Sequence, residues 1–147
     1  LEPNQVFVYG ANEAGIHGAG AARQAMNWGA KWGYFGFNGQ TYGIPTKDVL
    51  IQTLSLSEIE WNVRKFLDFA KMNPNKEFLV TKIGCGLAGY TEEEIGPLFT
   101  EDILPLNVIL PEEFCRSGEI VKDDEYWLEK FNKDFPADHI NDDYLPF

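Results

Sequence analysis

Two glycine-rich turns constrain this chain most: Gly15-Ile16-His17-Gly18-Ala19-Gly20 near its start and Ile83-Gly84-Cys85-Gly86-Leu87-Ala88-Gly89-Tyr90 past its middle. Each follows an apolar run and precedes a helix-like stretch. Glycine lets backbone N–H groups turn toward a ligand with no Cβ in the way, and a helix N-terminus behind the turn adds partial positive charge. Two such turns at the ends of neighbouring strands make a cradle for a diphosphate or a comparable anion. One turn alone reads equally as a tight strand-to-helix connection, because short glycine motifs are weakly specific.

The elements around the turns alternate. Residues 5–9 (Gln-Val-Phe-Val-Tyr) form a β-branched and aromatic run that predicts a buried strand stopping at Gly10. A helix is expected from about Gly18 to Gly29, its alanines suited to close packing against a sheet. Residues 29–39 are irregular and aromatic, which reads as a lid, and residues 41–45 read as a second short strand. Ser57 and Glu60 have capping-box spacing for a helix that presents Ile59, Val63, Phe66, Leu67 and Ala70 on one face and ends near Asn73-Pro74. Residues 77–83 predict a strand feeding the second glycine turn, Thr91 and Glu94 repeat the capping spacing, and residues 106–110 predict a last strand. Strands alternating with helices imply an α/β fold with a largely parallel sheet, which binds ligands beyond the carboxyl ends of its strands.

Length and charge bound the function. A chain of 147 residues buries one core, so a single domain is expected, with its core over about 5–111 and an acidic helical extension over about 112–147. A helix is expected over 123–135 and an extended end after it. The net charge of −11 disfavours extended DNA or RNA as a partner, while leaving room for a small anion held by local backbone dipoles. No apolar stretch approaches the length of a membrane span, so no membrane partner is expected. Cys85 and Cys115 make neither a disulfide framework nor a metal-ligand spacing, which points to a reducing, cytoplasmic setting with no metal or cofactor.

Gly10-Ala11-Asn12 followed by His17-Gly18-Ala19-Gly20-Ala21-Ala22 resembles the first ligand loop and opening helix of macrodomains, the ADP-ribose-binding modules. The stretch Thr81-Lys82-Ile83-Gly84-Cys85-Gly86-Leu87-Ala88-Gly89 is similar to the diphosphate loop of the macrodomain branch that contains the terminal ADP-ribose protein glycohydrolase. Ile44-Pro45-Thr46-Lys47 also resembles that branch, where a lysine at this place reacts with the sugar. The similarity runs from about Val6 to Pro111.

The resemblance implies a three-layer α/β/α fold and a binding site for ADP-ribose or a related nucleotide-sugar phosphate. It implies that Asn12 faces the distal ribose and that Gly18, Ala19 and Gly20 approach ribose and phosphates. It further implies that Gly84, Cys85, Gly86, Leu87, Ala88 and Gly89 wrap the diphosphate through main-chain N–H groups, with Tyr90 against the distal sugar. The chain departs from the branch in two places. Ala88 stands where the branch has an acid that completes catalysis, and only nine residues precede Gly10, where macrodomains carry an opening strand and an acid for adenine.

A hydrolytic version of this reading needs chemistry from Lys47, as a nucleophile at the anomeric carbon if desolvated, or from His17, whose imidazole titrates near neutrality. Glu13 and Asp48 are acids near the site in sequence; Lys47, Glu13 and Asp48 equally fit plain surface charges. A rival reading is a cysteine-dependent hydrolase with Cys85 as thiolate and His17 as base, set against a small buried cysteine that merely fits a tight loop. A third reading is a protein-interaction module using the aromatic residues 28–37 and the acidic tail. The reading carried forward is a binder of ADP-ribose, free or on a modified protein, with recognition favoured over hydrolysis.

Overall fold

The computed structural model describes residues 1–100 and 103–115; the expected acidic helix over 123–135 and the extended end lie outside them. Five strands and three helices alternate through the described residues: β1 (Gln5–Asn12), α1 (Gly20–Ala25), β2 (Gly36–Asn38), β3 (Thr41–Lys47), α2 (Leu56–Met72), β4 (Glu77–Val80), α3 (Glu92–Thr100) and β5 (Val108–Ile109). The sheet runs β2-β3-β1-β4-β5, parallel throughout except for the antiparallel edge pair of β2 and β3. This is the expected α/β class, with helices packed on both faces of the sheet.

The strands are buried on both sides because successive side chains serve different layers. Val6 and Val8 of β1, with Phe78 and Val80 of β4, face α2 and α3 in a cluster that includes Ile59, Val63, Phe66, Ile95 and Phe99. Phe7, Tyr9 and Ala11 of β1, with Leu79 of β4 and Ile109 of β5, face α1 through Ala21, Ala22 and Ala25. The methyl side chains bring that short helix close to the sheet, as its composition suggests.

Several expected boundaries shift. β1 does not stop at Gly10 but continues to Asn12, because β3 extends to Lys47 and supplies backbone partners up to the Asn12–Lys47 pair. β4 ends at Val80, three residues short of the expected end. The α1 helix is shorter than expected, giving way to a 3₁₀ turn over Met26–Trp28 that ends at Gly29 in the left-handed region. The capping box of α2 is Ser55 with Glu58, not Ser57 with Glu60: the Ser55 hydroxyl accepts from the Glu58 N–H and the Glu58 carboxylate accepts from the Ser55 N–H. Thr91 and Glu94 cap α3 as their spacing indicates. The aromatic stretch expected as an irregular lid contributes β2, the sheet edge.

Candidate functional site

Strands β1 and β4 lie side by side, yet the chain leaves them in opposite directions, from β1 through α1 toward β3 and from β4 through α3 toward β5. Parallel crossovers of one hand then put α1 and α3 on opposite faces, and the carboxyl ends of β1 and β4 flank a switch point of the kind where open α/β sheets bind ligands. Both glycine-rich turns leave from that point. Thr81 fixes the departure of the second, its N–H and hydroxyl both donating to the Val8 carbonyl, at 3.0 and 2.8 Å.

The first loop is closed by its own side chains. Asn12 Nδ2 donates to the Ile16 carbonyl and Asn12 Oδ1 accepts from the Ile16 N–H, both at 3.0 Å, so the buried amide shapes the loop. His17 is only 3% exposed, and its Nε2 reaches the carbonyls of Lys31 at 2.7 Å and Tyr34 at 3.1 Å. Two carbonyl partners make Nε2 the protonated nitrogen, and the ring acts as a peg that ties the aromatic segment to the loop. Gly15 completes the tie: its carbonyl accepts from Gly33 N–H at 2.8 Å, and a Cβ there would lie 2.2 Å from the Gly33 carbonyl carbon. Its φ of +70° also suits glycine alone. Gly18, Ala19 and Gly20 follow at the mouth, with Gly18 exposed and the others half-buried.

The second loop is held from the other side. The Tyr90 hydroxyl donates to the Leu54 carbonyl at 2.7 Å, and the Thr53 hydroxyl donates to the Ala88 carbonyl at 3.1 Å, fastening the loop to the β3–α2 connection. Tyr90, expected against the distal sugar, is thus an anchor of the loop through its hydroxyl. Gly84, at φ +74°, lies against Ile95, whose Cδ1 would sit 2.9 Å from an added Cβ. Lys82 turns away from the tip toward Glu92 at 3.9 Å and Glu113 at 3.7 Å.

The internal bonds of the two loops leave a common remainder. Ile83, Cys85, Gly89 and Tyr90 donate their N–H groups within the second loop or to its flanks, as Gly15 and Ile16 do in the first. The N–H groups of His17, Gly18, Ala19 and Gly20, and of Gly84, Gly86, Leu87 and Ala88, have no hydrogen-bond partner among the described residues.

Lys47 ends β3 beside Asn12; its carbonyl accepts from Glu13 N–H at 2.9 Å, and its backbone bridges to Thr53. Of the two acids near it in sequence, Asp48 spends Oδ1 on the N–H groups of Leu50 and Gln52, while the exposed Glu13 carboxylate has no partner among the described residues. Beside Glu13 opens a recess of about 370 Å³, lined also by Leu54, Glu58, Trp61, Asn62 and Lys65. The sequence reading passed over Trp61, Asn62 and Lys65. The available signal was Trp61 falling out of phase with the buried stripe of α2.

The thiol and imidazole required by a cysteine hydrolase are not brought together. Cys85 packs against the α2–α3 cluster, whereas His17 stacks edge-on against Tyr9, which belongs to the cluster on the opposite face of the sheet. Among the described residues no group of three His, Cys, Asp or Glu side chains is placed to hold a metal ion, and no helix is long and apolar enough to cross a membrane. Against protein-family models, curated proteins and solved structures, the chain finds no match.

Proposed function

We propose that this chain binds ADP-ribose or a related nucleotide-sugar phosphate, with the diphosphate held on main-chain N–H groups of the two glycine-rich loops. The observation that carries the reading is the set of eight loop N–H groups, four in each loop, that have no hydrogen-bond partner among the described residues, in turns that follow adjacent strands. Backbone donors at such positions suit phosphate oxygens, and they do so in a chain whose net charge is −11 because they act locally. The macrodomain-like motifs support the same ligand.

Recognition is favoured over hydrolysis. Ala88 offers a carbonyl where the resembling branch offers an acid, and that carbonyl is engaged by Thr53. His17, its Nε2 committed to two carbonyls, supports the loop. A hydrolytic role would fall to Lys47 at the end of β3, with hydrolysis at the distal ribose or terminal phosphate.

The test is a calorimetric titration of the chain with ADP-ribose, alongside AMP and ribose 5-phosphate as part-ligands. Saturable binding of ADP-ribose is expected, and Gly20→Glu or Gly86→Glu should abolish it by placing bulk and negative charge where phosphate lies. If both variants fold and bind as the parent does, the cradle assignment is wrong.

A further inference from the structure

The recess beside Glu13 is adjacent to the Lys47 end of the cradle through three hydrogen bonds, two between backbone groups and one from a side-chain amide. Glu13 N–H donates to the Lys47 carbonyl at 2.9 Å, Leu54 N–H to the Thr46 carbonyl at 2.9 Å, and Asn62 Nδ2 to the Pro45 carbonyl at 3.0 Å. On the cradle reading, in which Lys47 faces the distal ribose, a group attached to that ribose leaves the cradle toward this recess. Its volume of about 370 Å³ falls in the range of small-molecule sites, roughly 300–1,000 Å³.

Its polar groups are mostly acceptors. The Glu13 carboxylate has no partner among the described residues. Glu58 uses Oε1 in the capping box, which leaves Oε2, and the Asn62 donor bond to Pro45 leaves its Oδ1. The lining includes Trp61, a residue 62% exposed, and its ring already carries a cation, with Lys65 Nζ 5.4 Å from the ring centroid. Such a set wants a planar group rich in N–H donors, positively charged and able to stack on an indole. An arginine guanidinium has five donors, four once a nitrogen carries the ribose, and no acceptor, and it stacks on aromatic faces better than an ammonium does. An amino-purine brings acceptors of its own and no charge.

Resting on the cradle reading, we infer that this recess is an acceptor subsite for the guanidinium of an arginine side chain whose ADP-ribosyl group occupies the two glycine-rich loops. The partner is thus a protein ADP-ribosylated on arginine, recognised at both ends of the linkage. Glu13 pairs with the guanidinium, and Trp61 stacks on it with Lys65 displaced to solvent.

The experiment compares the affinities of the full chain for ADP-ribose and for ADP-ribosylated arginine amide. The arginine adduct is expected to bind about tenfold more tightly, the effect of one charge-assisted contact. Glu13→Gln and Trp61→Ala should each erase that advantage and leave ADP-ribose affinity unchanged; both side chains are exposed, so the variants should fold. Equal affinity for the two probes overturns the inference. So does loss of AMP binding in Trp61→Ala without any arginine advantage in the parent, which would make the recess a base site. If ADP-ribose itself does not bind, the cradle reading fails separately, and N-acetyl-arginine amide decides the recess alone. Saturable quenching of the emission that Trp61→Phe removes, lost in Glu13→Gln, sustains the guanidinium site; no quenching refutes it.

Discussion

The two glycine-rich loops look alike as strings of letters and are held in opposite ways. The first is pegged from the α1 face of the sheet by a buried imidazole, His17, and by the backbone of residues 31–34 pressed on Gly15. The second is fastened from the α2 face by hydroxyls, Tyr90 to Leu54 and Thr53 to Ala88. In both, an early glycine is spent on close packing, Gly15 against Gly33 and Gly84 against Ile95, while residues 18–20 and 86–88 present N–H groups without partners among the described residues. A glycine motif thus combines two demands, one for space beneath the loop and one for donors at its mouth, and only the second concerns a ligand.

That division is open to attack by substitution. Gly15→Ala, which drives a Cβ into the backbone of Gly33 and Tyr34, should cost about 3–4 kcal/mol through overpacking and the positive φ, read as a lower urea midpoint. His17→Ala removes a buried ring and leaves two carbonyls without their donor, for about 2–3 kcal/mol. It should also speed amide exchange over residues 31–37 while leaving exchange in α3 as it is. Equal acceleration in both regions would break the claim that the loops are pegged separately.

Tyr90→Phe removes one hydroxyl bond and should cost about 1 kcal/mol, weakening ADP-ribose binding through the second loop only. The smallest effect has the opposite sign. The buried Tyr9 hydroxyl has no hydrogen-bond partner among the described residues, so Tyr9→Phe should raise stability by about 0.5 kcal/mol. Burial also pushes the Tyr9 phenol well above the usual tyrosine range. The folded protein then keeps a proton that the unfolded chain releases near pH 10, so stability falls as pH rises through about 10. Tyr9→Phe should flatten that alkaline loss in pH-dependent unfolding.

Much of the fold was legible in local pattern. The buried face of α2 is the one its spacing indicates, and the Thr91–Glu94 cap sits where its four-residue signature places it. What failed depended on distant partners. The S-x-x-E signature occurs twice in overlap, at 55–58 and 57–60; the first is used, which makes Leu56, packed against the core, the first helical residue. The extra residues of β1 follow from the length of β3, which no local pattern in residues 5–12 records. The site was legible to the same degree: the glycine turns do end adjacent strands, as expected from an α/β order. The burial of His17, however, depends on residues 31–34 folding back over it, and the recess depends on α2 meeting Glu13.

If main-chain N–H groups of the two loops form the anion cradle, amide chemical shifts of the ¹⁵N-labelled chain titrated with ADP-ribose read it directly. Saturating shifts concentrated at Gly18, Ala19, Gly20, Gly86, Leu87 and Ala88, with that of Gly15, whose N–H is already bonded within its loop, smaller, are the expected result. Shifts confined to other parts of the surface, or no saturable shift at millimolar ligand, would mean that the two loops do not hold the diphosphate.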